Sequence, residues 1–211
     1  MATYFNWSDQ SENFDNAYSE KSQVPFFKNY VKNDLLLRQK LVFDILGDIK
    51  GKKILDLGCG VGRYSHLASL SGAKVIGIDI SKNAIEIAKT KAKELGVENS
   101  CEFICEDFIE SQNNFNVDCV IALGFVQYFN NPIEVISDIL KNNQKIIFDI
   151  PTFFHWINPC RKIYRTLMKG IKFKSFTKYE MQKMVKFLNE KHNIELKVNY
   201  LNPTIFIISN N

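Results

Sequence analysis

Apolar residues fill most positions of five short runs, and between several of them they recur at helical spacing. The runs are 53–57 (KILDL), 74–80 (KVIGIDI), 102–106 (EFICE), 117–123 (VDCVIAL) and 145–150 (KIIFDI). A strand covered on both faces has no polar side to show and so loses the alternation of a half-exposed strand. The runs therefore predict five parallel strands of an α/β sheet, with helices over 64–71, 81–95 and 132–141 between them. Ser81 is the predicted N-cap of the second helix, and Asn131 before Pro132 that of the third.

The pattern changes towards the end of the chain. Thr177-Lys178-Tyr179-Glu180 reads as a capping box opening a helix to about residue 191. Residues 194–200 and 204–209 then read as two strands of a hairpin joined by Leu201-Asn202-Pro203. Ahead of the first strand, 27–48 has helical spacing and follows a polar, aromatic-dotted segment. Tyr18, Phe26, Phe27 and Tyr30 there are candidates for a lid over a ligand. The expected organisation is one domain in four parts: an N-terminal lid and helix (1–50), a cofactor-binding core (51–150), a basic substrate-side insertion (151–176), and a C-terminal helix with its hairpin (177–211).

Composition narrows the class. An apolar share of 45% and a charged share of 24% exclude a disordered or fibrous chain. No run approaches the roughly 18–20 apolar residues of a membrane span, and residues 1–10 lack an export signal. The expected location is the cytoplasm. Cys59, Cys101, Cys105, Cys119 and Cys160 form no CxxC pair and sit mostly in apolar runs, so they read as buried, reduced thiols, and no metal is expected.

Charge is uneven although the net value is only +4: residues 161–191 hold ten Lys or Arg against two acids. Arg161 and Arg165, four apart, would share a helix face with Lys169 next to them. Guanidinium forks bind phosphate and carboxylate well, so the patch is either a site for an acidic or phosphorylated substrate or a solvated helix face.

The chemistry concentrates at KILDLGCGVGRYS, residues 53–65. A glycine-rich turn between a strand and a helix lets a ligand approach the backbone closely. The dinucleotide fingerprint fails because Arg63 follows Gly58, Gly60 and Gly62, and the phosphate loop fails for want of its Lys-Ser/Thr pair. What remains is Asp56 followed by the three glycines, with Cys59 between the first two as a small side chain facing the core. Asp56 suits a ligand with an ammonium group better than a pyrophosphate. Asp79, 21 positions after Gly58, ends the second strand, where a carboxylate can accept from both hydroxyls of a ribose. Asp107, after the third strand, is placed to accept from the amine of an adenine. An adenosine carrying an amino acid fits all three.

At this point the chain resembles the class I S-adenosylmethionine-dependent methyltransferases over about residues 50–150. Four elements agree in order and spacing: ILDLGCGVGR, GIDIS, CEDF and CVIALGFVQYF. The resemblance implies a three-layer αβα sandwich around a seven-stranded, mostly parallel sheet of order 3-2-1-4-5-7-6, its seventh strand antiparallel. It implies S-adenosylmethionine as cofactor and S-adenosylhomocysteine (SAH) as product. In that reading Asp56 and the turn at Gly58, Cys59, Gly60 and Gly62 face the methionine part. Asp79 binds the ribose, Ile80 lies on the adenine, Asp107 and Phe108 contact the adenine, and backbone near Leu123 accepts from the ligand's amino group. Small-molecule enzymes of the family often carry a Glu-His pair shortly before the next helix, where this chain has Gln127 and Tyr128.

Methyl transfer from a sulfonium is an in-line displacement that alignment and water exclusion can promote without a base. Where the acceptor is a hydroxyl, the candidate bases are His155 and Tyr128, in the loops after the fifth and fourth strands, and histidine titrates nearer neutrality. The expected partner is a small molecule such as a sugar or lipid precursor, with Arg161 and Arg165 as candidate contacts. One alternative is an RNA methyltransferase using the basic patch, although Ala-Leu-Gly-Phe stands where enzymes acting on base amines carry Asn/Asp-Pro-Pro-Tyr/Phe. Another is a protein that binds the cofactor without catalysis.

Overall fold

The computed structural model describes residues 25–109, 115–142, 145–152, 174–201 and 204–210. The chain falls into two compact units, Met1–Ser111 and Gln112–Asn211.

The first unit begins with helix α1 (Pro25–Leu46), followed by β1 (Lys53–Leu57), α2 (Arg63–Leu70), β2 (Lys74–Asp79), α3 (Lys82–Glu94) and β3 (Cys101–Cys105). β2 lies between β3 and β1 and is parallel to both, with Leu57 opposite Ile78 and Asp79 opposite Cys105. β1 buries four consecutive residues, as a strand with two covered faces should. Ala84, Ile85, Ala88 and Ala92 form the buried stripe of α3. Burying Ile85 completely contributes about 1.5–3 kcal/mol. The Ser81 hydroxyl accepts from the Ala84 amide at 3.3 Å and starts α3, as the sequence predicts.

The second unit holds β4 (Cys119–Ala122), a 3-10 turn (Val126–Tyr128), α4 (Pro132–Asn142), β5 (Ile146–Pro151), α5 (Lys178–His192), β6 (Glu195–Leu201) and β7 (Thr204–Asn210). Its strand order is β4-β5-β7-β6. β4 and β5 are parallel, whereas β7 runs antiparallel to both β5 and β6. All six residues of β5 are buried. α5 presents Met181, Met184 and Leu188 inward at helical spacing. Each unit's order matches its part of the expected 3-2-1-4-5-7-6.

Differences from the sequence reading lie at element ends. β4 begins at Cys119 rather than 117 because its pairing with β5 starts at Val120, and Asp118 remains exposed. The 3-10 turn has no apolar periodicity to announce it. The capping box is fully realised: the Thr177 hydroxyl accepts from the Glu180 amide at 3.2 Å, and the Glu180 carboxylate accepts from the Thr177 amide at 2.8 Å. The donated bonds hold the Glu180 carboxyl below its ordinary value. Thr177→Ala is expected to cost about 1 kcal/mol by leaving a helix amide unpaired. In a thermal melt that is a fall of roughly 2–4 °C, and an unchanged midpoint would mean the cap contributes nothing.

Candidate active site

The turn between β1 and α2 is built on left-handed backbone: Gly58, Gly60 and Gly62 have φ of 69°, 54° and 80°. The amides of Gly58 and Cys59 both donate to the Ile78 carbonyl, at 2.8 and 3.0 Å. Asp79 completes the fastening. Its Oδ2 accepts from the Gly60 amide at 2.9 Å and its Oδ1 from the Ser81 amide at 2.8 Å. One carboxylate thus ties the glycine turn to the start of α3. A carboxylate has about four acceptor positions, so both oxygens keep capacity for a ligand.

The two later glycines serve different ends. A Cβ on Gly60 would meet no described atom within 4 Å, so the turn has an open face there. A Cβ on Gly62 would come within 2.7 and 2.9 Å of the His66 ring and within 2.9 Å of Phe103. His66, in the first turn of α2, is 3% exposed. It packs edge-to-face on Phe103 with ring centroids 5.4 Å apart, and its Nε2 lies 2.9 Å from the Ala88 carbonyl, which assigns the proton to that nitrogen. Burial first, and then the Lys91 charge, push its pKa down against the opposing pull of the Ala88 carbonyl, so His66 is a neutral packing residue.

Asp56 is 3% exposed and accepts a 2.6 Å bond from the Ser65 hydroxyl of α2. Burial raises its pKa to about 6 and the Asp79 charge adds to the rise, while the Ser65 bonds oppose it. Burial also raises Asp79, against the bonds from Ser81 and Gly60. Burial, then the neighbouring Asp56 and Asp79 charges, drive the Cys59 thiol well above its ordinary value, so it is an inert filler of the turn. Among the other cysteines Cys101 and Cys119 are buried as expected; Cys105, the last residue of β3, is exposed and corrects that expectation.

Past β3, Asp107 Oδ1 accepts from the Ile109 amide at 2.9 Å. Its Oδ2 is buried and has no hydrogen-bond partner among the described residues. A buried acceptor without a donor is rare in a finished structure and suits a donor arriving with a ligand. Ile80, 39% exposed at the end of β2, and half-buried Phe108 complete the group. The first unit thus brings together the turn, Asp56, Asp79, Ile80, Asp107 and Phe108. These residues fit an adenosine derivative.

In the second unit Leu123 is half-buried at the end of β4, and Gly124 follows with φ of 66°. The Gly124 amide donates to Asp149 Oδ1 at 2.5 Å. Asp149 is 1% exposed in the middle of β5 and was missed in the sequence reading; its signal was a lone acid inside the apolar run IIFDIP. Gln127 is buried and Tyr128 half-buried. His155, Arg161 and Arg165 lie outside the described residues, as do Tyr18 and Cys160.

Residues 48–191 match the family of methyltransferase domains. The chain belongs to the class I S-adenosylmethionine-dependent methyltransferases. The chain is 30% identical over 115 residues to a ubiquinone biosynthesis O-methyltransferase of Alkalilimnicola ehrlichii, covering 53% of this chain and 47% of that one. The corresponding enzyme of Aeromonas salmonicida is 32% identical over 103 residues, covering 49% and 43%. The match thus spans about half the length of these curated relatives or less. In fold, it resembles magnesium protoporphyrin IX methyltransferase from Synechocystis PCC 6803 with bound SAH, with a TM-score of 0.75, 19% identity, and 96% and 95% of the two chains covered. Among the described residues, no three His, Cys, Asp or Glu side chains cluster to hold a metal, and no helix is long and apolar enough to cross a membrane.

Proposed function

We propose that this methyltransferase moves the methyl group of S-adenosylmethionine to a hydroxyl of a small molecule. The observation that carries the donor side is the Asp79 carboxylate fastening the glycine turn beside an open face over Gly60. The hydroxyl acceptor takes its support from the O-methyltransferase relatives.

In this reading the bound donor supplies a methyl already activated on a sulfonium, and the chain supplies place and surroundings. Asp79 accepts from the ribose hydroxyls with the lone pairs its two amide bonds leave over. Asp107 Oδ2 accepts from the adenine amine, and Ile80 and Phe108 give the ring apolar contact. The open turn over Gly60 admits the methionine part. Asp56, too buried for direct contact in this state, sets a negative potential beneath the turn and locks α2 to it through Ser65. Holding acceptor and methyl in line can supply up to roughly 7–11 kcal/mol of the barrier, so a base is optional. His155 and Tyr128 are the side chains proposed to take the acceptor's proton. Arg161 and Arg165 extend the proposal to acceptors with a phosphate or carboxylate, supported by their spacing alone. The division at residues 50, 150 and 176 belongs to the same proposal.

Titration calorimetry with SAH tests the donor side. Asp79→Ala removes the charge-assisted bonds from the Gly60 and Ser81 amides and the proposed ribose contacts, and is expected to weaken binding by about 1.5–3 kcal/mol, or roughly 10- to 100-fold. Unchanged affinity would remove Asp79 from the site. Transfer of labelled methyl into a cell extract tests the acceptor side, with label expected in small molecules; label in RNA would overturn that part.

A further inference from the structure

We propose that Gln127 selects the acceptor: its amide oxygen takes a hydrogen bond from a hydroxyl on a planar, aromatic substrate at the turn after β4. This deepens the hydroxyl-acceptor reading above and rests on it.

Gln127 is 7% exposed, and its Oε1 is buried with no hydrogen-bond partner among the described residues. Buried side-chain acceptors are nearly always paired, so an unpaired one within a turn marks a place where a donor arrives with a ligand. The residue is held in place on several sides. Gly124, three residues before it, is fixed by the bond from its amide to Asp149 Oδ1. The Gln127 backbone carbonyl accepts from the Lys174 amide at 2.9 Å. The fixed backbone on both sides of the side chain limits where the amide can point.

The flanking residues describe the rest of the ligand. Phe125 and Phe129 meet edge-to-face with centroids 4.8 Å apart, and both are half-buried, as is Tyr128. Such a group offers ring edges and faces on which a flat apolar body stacks. An amide oxygen accepts a hydrogen bond without taking the proton, so Gln127 orients a hydroxyl and does not deprotonate it. A site built to pair a hydroxyl rejects analogues that lack one, because the buried acceptor is then left alone. Asp149 acts through Gly124 as a positioning residue, holding the corner from which Gln127 projects.

The test uses Gln127→Met, which keeps the length of the side chain and removes its polar end, and Gln127→Glu, which keeps an acceptor oxygen. Thermal melting of the free proteins is compared first, then calorimetry with SAH, then calorimetry of catechol into the SAH-saturated proteins. Gln127→Met is expected to melt at or above the wild-type temperature, to bind SAH within twofold, and to lose at least tenfold in catechol affinity. Gln127→Glu is expected to keep catechol binding within a few-fold. A clear fall in the melting temperature of Gln127→Met would overturn the proposal, because the amide would then have a structural partner. Undiminished catechol binding by that variant, or no catechol binding by the SAH-saturated wild type, would overturn it equally. Failure of the wild type to bind SAH would instead sink the donor assignment, and the melting comparison would still decide whether the Gln127 oxygen is unpaired.

Discussion

Gly62→Ala is expected to lower stability by about 2–5 kcal/mol, more than the same methyl added at Gly60. Two costs combine. A left-handed φ of 80° in a residue with a Cβ costs roughly 1–2 kcal/mol. The new methyl would also fall within 3 Å of the His66 and Phe103 rings, and forcing an extra carbon into a packed site costs about 1–3 kcal/mol. Neither ring can yield freely, since both are buried and His66 is tied to the Ala88 carbonyl. Gly60→Ala is the control. Its φ of 54° carries the backbone cost alone, because nothing described lies within 4 Å of the new methyl. That variant is expected to stay within about 2 kcal/mol of wild type and to lose SAH binding, because its methyl occupies the ligand's approach. Calorimetric melting of both variants separates the two effects, and equal losses would mean that the His66–Phe103 packing contributes nothing.

Asp56→Asn is expected to act in the opposite direction and to stabilise the protein at neutral pH by up to about 3 kcal/mol. The folded-state pKa of about 6 lies above the ordinary 3.8, so the folded chain holds this proton more tightly than the unfolded chain. The contribution is complete below about pH 4, is lost as pH rises to about 6, and is flat above that; a shift of about two units corresponds to about 3 kcal/mol. Asparagine removes the charge and with it this slope, and its carbonyl still accepts from the Ser65 hydroxyl more weakly. Wild type and variant should therefore be similar at pH 4 and diverge by pH 7. The same variant should bind S-adenosylmethionine more weakly, because the negative potential beneath the turn is gone; a stabilising change with a functional cost is common at binding sites. Denaturant unfolding at pH 4, 5, 6 and 7 reads the first part and calorimetry the second. A clear loss of stability at pH 7 would show that the carboxylate is paired favourably when ionised.

The sheet was legible because burial on both faces leaves runs such as KVIGID and IIFDIP with almost no polar residue, and helix starts carry capping chemistry at fixed offsets, as at Ser81 and Thr177. Asp79 and Asp107 were legible for a related reason, since one ends and the other follows an apolar strand, and Asp56 stands out as the one acid inside KILDL, next to the glycine turn. Side-chain direction was less so. A sequence places Asp56 at the turn and does not say that Ser65, nine residues on, will draw its carboxylate inward. Nothing near His66 in the sequence announces its burial, which depends on Phe103 of β3. Asp149 was hidden for the same reason: the amide that it holds lies 25 residues away in sequence.

Asp79 gives the molecule one more property. Its two amide bonds restrict Gly60 and Ser81 before any ligand arrives, so the turn has already lost much of the backbone freedom that binding would otherwise have to remove. Affinity at such a site reports the quality of contact rather than the entropy of assembling a loop, and a ligand finds its cradle already shaped.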